Sequence, residues 1–192
     1  MTASAAWTEM RAAMSGALRL AVGDRRGLGC FDASLDGFWR SFRAAVICYP
    51  LYLFLLALRL DAAQWQQSGI GTIVVVETID YIIAWAAFPL VILSLARALR
   101  REDRFLSFMV AYNWSQVPQT ALFAVIGLDG LTGLLSLSSL PGAELAAAIA
   151  TLVYEWYIAR VALSVGAAAA ALIVVVDLLL GTALGRVAAA LY

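Results

Sequence analysis

Tyr112-Asn113-Trp114-Ser115-Gln116-Val117-Pro118-Gln119-Thr120 interrupts an apolar run, residues 105–128, that carries no charged side chain before its end. A run of that length spans ~30 Å of hydrocarbon as a helix. At 100° per residue, Tyr112, Asn113, Ser115, Gln116, Gln119 and Thr120 fall within roughly 160° of one another. Trp114, Val117 and Pro118 take the opposite side. Hydrocarbon offers amides no hydrogen-bond partner, so the polar side must face other helices or a wet cavity. The run therefore reads as one helix of a bundle.

Composition agrees. Of the 192 residues 64% are hydrophobic, and the mean hydropathy is +0.88. Soluble domains are only about half apolar. The 13 basic and 13 acidic residues cancel, so no net field points to nucleic acid. Every basic residue is arginine, with no lysine and no histidine. A lysine Schiff base, a phosphate-loop lysine, a histidine general base and a histidine-liganded metal are thereby excluded. Ser115 has no base to activate it, so no catalytic residue, cofactor or metal site is expected. Cys30 and Cys48 make no metal motif, and their contexts predict no disulfide. Glu9 interrupts the start of the chain, so the first long apolar run reads as a retained anchor rather than a signal peptide.

The fold class is an all-α polytopic membrane bundle. Residues 1–37 form an amino-terminal arm, in which Trp7, Met10, Met14, Ala17, Leu18 and Ala21 recur at helical spacing. This amphipathic helix rests either on the membrane surface or on the bundle. The glycine-punctuated Gly23-Asp24-Arg25-Arg26-Gly27-Leu28-Gly29 reads as a turn. Residues 38–192 hold five spans, about 38–60, 70–99, 105–128, 143–163 and 167–190. Pro50 is expected to kink the first, and Arg43 and Arg59 to snorkel from its two ends. A polar loop at 61–69 leads to the second span, whose Glu77 and Asp80 share a face. They read as acids wetted near a helix terminus, with a buried pair for a cation or proton as the alternative. Residues 128–142 read as an external loop or a short interfacial helix. The apolar stretch from 143 onward, about 75 Å as one helix, must fold back, and Ser164-Val165-Gly166 is the expected break.

Arginine placement gives an orientation. With the amino terminus inside, the inner segments hold eleven arginines, four of them (Arg97, Arg100, Arg101, Arg104) in one short loop. The outer side holds only Arg59 and Arg186. By the positive-inside rule the amino terminus is cytoplasmic and the carboxyl end external.

Two constellations could carry chemistry. Glu155 and Asp177 sit ten residues before and twelve after Val165. In an antiparallel hairpin that places both ~15–18 Å from the turn, near the midplane. An ionised carboxylate there costs about 2.5–3.5 kcal/mol or more, so both are expected to be mostly protonated and hydrogen-bonded. With Tyr112, Asn113, Gln116 and Gln119 they form either a structural polar seam or a pathway. Gly181 and Gly185 make a small-xxx-small pattern for helix packing, within the chain or in a homodimer.

Tyr112-Asn113-Trp114-Ser115-Gln116-Val117-Pro118, and Tyr154-Glu155-Trp156 leading into the small-residue-rich last helices, resemble the bacterial branch of the YIP (Rab-GTPase-interacting) family of five-span membrane proteins. The resemblance covers about residues 38–191. It implies a bacterial inner-membrane protein and carries no catalytic site to transfer; the eukaryotic relatives organise small GTPases and vesicle membranes. The sequence reading is thus a non-enzymatic structural, scaffolding or membrane-organising protein. Its expected partners are the bilayer, anionic lipid or a cytoplasmic protein at the arginine-rich loop, and a second copy of itself. The alternative is a small transporter or channel component moving protons, ions or a small polar solute past the third span and the last hairpin.

Overall fold

The computed structural model describes residues 3–133 and 139–192, and among these the chain is helical with no strand. Eight α-helices follow one another: α1 Ala3–Ala21, α2 Leu35–Ser41, α3 Arg43–Arg59, α4 Ala62–Ser68, α5 Ile70–Ala98, α6 Phe105–Thr132, α7 Leu140–Ala162 and α8 Ala167–Ala189. Among the described residues four stretches are long and apolar enough to cross a membrane: Leu35–Arg59, Ile70–Ala98, Leu140–Ala162 and Ala167–Ala189. In an 18-residue apolar window of each, between 17% and 28% of the residues are buried within the protein, so most positions keep some exposed surface.

The helix ends follow from local chemistry. Ser34 Oγ accepts the Gly37 N–H at 3.0 Å to start α2. The expected loop at 61–69 is instead mostly α4. Asp61 accepts the Gln64 N–H at 2.8 Å, and Gln64 Oε1 accepts the Asp61 N–H at 3.0 Å, a complete capping box. Gly69, at φ 76°, then turns the chain into α5. The break between the last two helices falls where the sequence places it, with Ser164 at φ 52° between α7 and α8. The expected external loop is shorter than 128–142, because α6 continues to Thr132 and α7 begins at Leu140. Any interfacial helix in that stretch falls on 134–138, outside the described residues.

Helix α6 is the centre of the bundle. It packs on α1, α2, α3, α5 and α7, while α8 closes the ring against α5 and α7. Its apolar side is not turned to lipid: Trp114 is 2% exposed and Val117 is buried as well. Pro50, Pro89 and Pro118 each lie inside a continuous helix, α3, α5 and α6 respectively. Each removes one backbone hydrogen bond.

The amino-terminal helix rests on the bundle. Ala13 and Leu20 of α1 belong to the shared core with Phe108, Met109 and Ile158, and Tyr154 donates to the Ala17 carbonyl at 2.6 Å. Of the stripe read from the sequence, Trp7, Leu18 and Ala21 stay exposed. The glycine-punctuated turn is a 3-10 helix, Arg25–Cys30, folded tightly on α1. A β-carbon on Gly27 would stand 2.5 Å from the Gly16 carbonyl oxygen. Ion pairs hold the other end: Arg40 Nε meets Glu9 Oε1 at 2.8 Å, and Arg40 also grips Asp32. Hydrogen bonds from Ser34, then the Arg40 charge, hold the Asp32 carboxyl below the usual carboxylate range.

Gly27→Val must push two backbone segments apart, an overpacking cost of about 1–3 kcal/mol. The expected outcome is a lower thermal midpoint in detergent and faster tryptic cleavage at Arg25 and Arg26. Gly29→Ala, where an added β-carbon meets nothing within 4 Å, should leave both unchanged.

Candidate functional site

The polar side of α6 opens on a cavity of about 620 Å³ between α3, α5, α6, α7 and α8. All six residues singled out as a polar seam line it: Tyr112, Asn113, Gln116, Gln119, Glu155 and Asp177. The depth argument from helix rise thus brings Glu155 of α7 and Asp177 of α8 to the same place as the stripe on α6.

The six do not play equal parts. Asn113 is 1% exposed and its Nδ2 donates to Ser41 Oγ at 2.8 Å, tying α6 to α2. Gln119 Nε2 donates to Ser115 Oγ at 3.2 Å, and Ser115 Oγ donates to the Tyr112 carbonyl at 2.7 Å. These amides are occupied in holding the helices. Tyr112 donates its hydroxyl to Asp177 Oδ2 at 2.6 Å, joining α6 to α8. The Nε2 of Gln116 is buried and makes no hydrogen bond of good geometry, the Glu155 carboxylate being the acceptor beside it. Glu155 stands beside Asp177 and within hydrogen-bonding reach of the Gln116 amide. Arg160 does not reach Asp177; it is exposed and lies 5.2 Å over the Trp156 ring.

Aromatic rings form the opposite wall, which the sequence reading missed. Tyr52 of α3 and Tyr81, Trp85 and Phe88 of α5 all line the cavity. Ring centres are 4.9 Å apart for Tyr52–Tyr81, 6.0 Å for Tyr81–Trp85 and 4.2 Å for the stacked pair Phe88–Tyr112. The spacing of Tyr81, Trp85 and Phe88, four then three, was the available signal: it puts them on one helix face.

Tyr52 also links the cavity to a charged cluster. Its hydroxyl donates to Glu77 Oε2, while Glu77 Oε1 takes Arg59 Nη2 at 2.7 Å and the Tyr192 hydroxyl at 2.5 Å. Glu77 is 2% exposed. It is therefore a buried ion-paired carboxylate, not an acid wetted at a helix end, while the Arg59 side chain that pairs with it stays 58% exposed. Asp80, half-buried, stands outside these hydrogen bonds.

Gly181 lines the cavity, whereas Gly185 does not. A β-carbon on either glycine would meet no described atom within 4 Å. Close packing within the chain is thus not what this pair provides. Cys30 and Cys48 are both free thiols, and no group of three metal-ligating side chains occurs among the described residues. Comparison with protein-family models, with curated proteins and with solved structures finds no match to this chain.

Removing one partner of a buried charged pair costs more than removing both. Arg59→Met leaves the buried Glu77 to tyrosine hydroxyls alone; because the Arg59 side chain is 58% exposed, solvent screens the pair and the expected loss of stability is about 1 kcal/mol. Arg59→Met/Glu77→Gln should recover part of that loss. Thermal unfolding in detergent checks this: a double variant no more stable than the single one would show that the pair is not the source of the stability.

Proposed function

We propose that this protein is a multi-pass membrane protein whose interhelical cavity takes up a small polar or charged solute, as part of a small transporter or channel. The observation that carries this reading is the cavity itself. A seam serving only to hold helices together would have its amides and carboxylates packed against one another. Here Glu155, Asp177 and Gln116 border some 620 Å³ of space instead. Pockets of this size hold small organic molecules. No enzymatic step is part of the reading.

In this reading α6 is a fifth span. Its 28 residues give about 42 Å of helix, more than the hydrocarbon thickness. The amide stripe lowers its hydropathy, but α6 is shielded by its neighbours and has little need of lipid solubility. The arginines support a cytoplasmic amino terminus in a bacterial inner membrane. Arg97, Arg100, Arg101 and Arg104 are all exposed at the α5–α6 connection, and Arg59, assigned to the outer side, is held by Glu77.

A scaffolding or membrane-organising role, the one the YIP resemblance suggests, is the second reading. It is favoured by the same exposed arginines. Arg97 and Arg104 make long contacts with Glu102 and Asp103, at 3.5 and 3.3 Å, while Arg100 and Arg101 have no ion-pair partner among the described residues. Such a loop suits anionic lipid or an acidic protein surface.

Thiol accessibility separates the readings. Gln116→Cys and Asp177→Cys, in a background lacking Cys30 and Cys48, should react with a membrane-impermeant thiol reagent from one side of the membrane. Protection of both positions from both sides would mean a packed seam and would overturn the solute reading.

A further inference from the structure

From the composition of the cavity wall we propose that the solute is a small organic monocation, a protonated amine or quaternary ammonium compound carrying a hydrogen-bond acceptor. The inference rests on the cavity being a solute site and adds the class of solute. Three observations converge on it.

The charge facing the cavity has one sign. Glu155 and Asp177 line it and no arginine does. Among the described residues neither carboxylate belongs to an ion pair; the six pairs all involve other acids. Leaving a carboxylate ionised in hydrocarbon is costly unless a positive charge accompanies it. This chain supplies such a charge to Glu77, through Arg59, and supplies none here. An anionic solute meets repulsion wherever either acid is ionised, and a neutral apolar one brings no counter-charge, although Asp177 keeps the Tyr112 hydroxyl in either case.

The aromatic wall suits a diffuse cation. Tyr52, Tyr81, Trp85, Phe88, Tyr112 and Phe123 line the cavity. Ring faces attract alkylammonium groups within about 6 Å, most strongly where water is excluded. A bare metal ion needs several oxygen ligands converging at about 2.0–2.6 Å, which a cavity of about 620 Å³ with no group of three ligating side chains among the described residues does not offer. The third observation is Gln116, whose buried Nε2 stands beside the Glu155 carboxylate but makes no hydrogen bond of good geometry. A hydroxyl or carbonyl on the solute would supply one.

The test compares acetylcholine with its neutral carbon isostere, 3,3-dimethylbutyl acetate, by calorimetric titration of the full chain in dodecyl maltoside. The two share shape and the carbonyl acceptor and differ in charge. The expected result is at least about tenfold tighter binding of the cation. Glu155→Gln/Asp177→Asn should abolish that preference. Trp85→Leu should weaken the cation alone, provided both variants keep the helical circular dichroism and the elution volume of the parent. Equal binding of the two compounds, or a cation preference that survives the double carboxyl variant, overturns the proposal. Binding of neither compound while Gln116→Cys is labelled from one side also overturns it, and leaves the solute reading standing. Binding of neither with Gln116→Cys and Asp177→Cys protected from both sides overturns both.

Discussion

A polar group inside hydrocarbon must find its partner within the protein, because no water is there to replace one. Helix α6 carries more such groups than any other element, and the bundle is arranged to answer them. Asn113 reaches Ser41 of α2, Tyr112 reaches Asp177 of α8, and Gln119 and Ser115 close a chain of hydrogen bonds along α6 itself. A helix with those requirements cannot sit at the lipid boundary. It takes the centre, and the apolar helices pack around it.

The carboxylates divide by how they are answered. Glu77 is enclosed by an arginine and two tyrosine hydroxyls, and it joins α3 to α5. Glu9 and Asp32 converge on Arg40, which docks the amino-terminal helix beside the start of α3. These charges have their counter-charges built in. Glu155 and Asp177 have hydroxyl and amide neighbours only. That contrast sets the cavity apart from the Glu77 cluster, which lies against it through Tyr52 and is no less buried.

Much of this was legible in the sequence because it depends on one-dimensional quantities. Lengths of apolar runs locate the helices, and Ser164 marks the last turn because a 75 Å apolar helix has to fold back. The stripe on α6 follows from a 100° repeat, and the meeting of Glu155 with Asp177 follows from counting residues on either side of Val165. What escaped depends on which neighbour a face meets. The burial of Trp114 could not be read from α6, whose apolar side looks the same whether it meets lipid or protein. Glu77 looked like a wetted acid because Arg59, 18 residues earlier, finds it only once α3 and α5 pack. The docking of α1 rests on a backbone approach at Gly16 and Gly27, and a glycine in sequence announces a turn as readily as a contact.

The glycines of α8 illustrate how the same residue type acquires its meaning from its surroundings. A small-xxx-small pattern predicts close helix approach, yet both Gly181 and Gly185 face open space among the described atoms. Gly181 borders the cavity beside Thr182, and Ala84 of α5 borders it too. Larger apolar side chains at these positions would extend into that space. Interiors are normally packed to crystal-like density, because each unfilled volume forfeits dispersion contacts. The cavity is open on one side, however, and Gly181 itself is exposed, so the space is a cleft between helices rather than a sealed void. Under the solute reading, small residues beside two carboxylates, the Gln116 amide and a wall of rings are what the bundle keeps so that the space between its helices can hold something other than its own side chains.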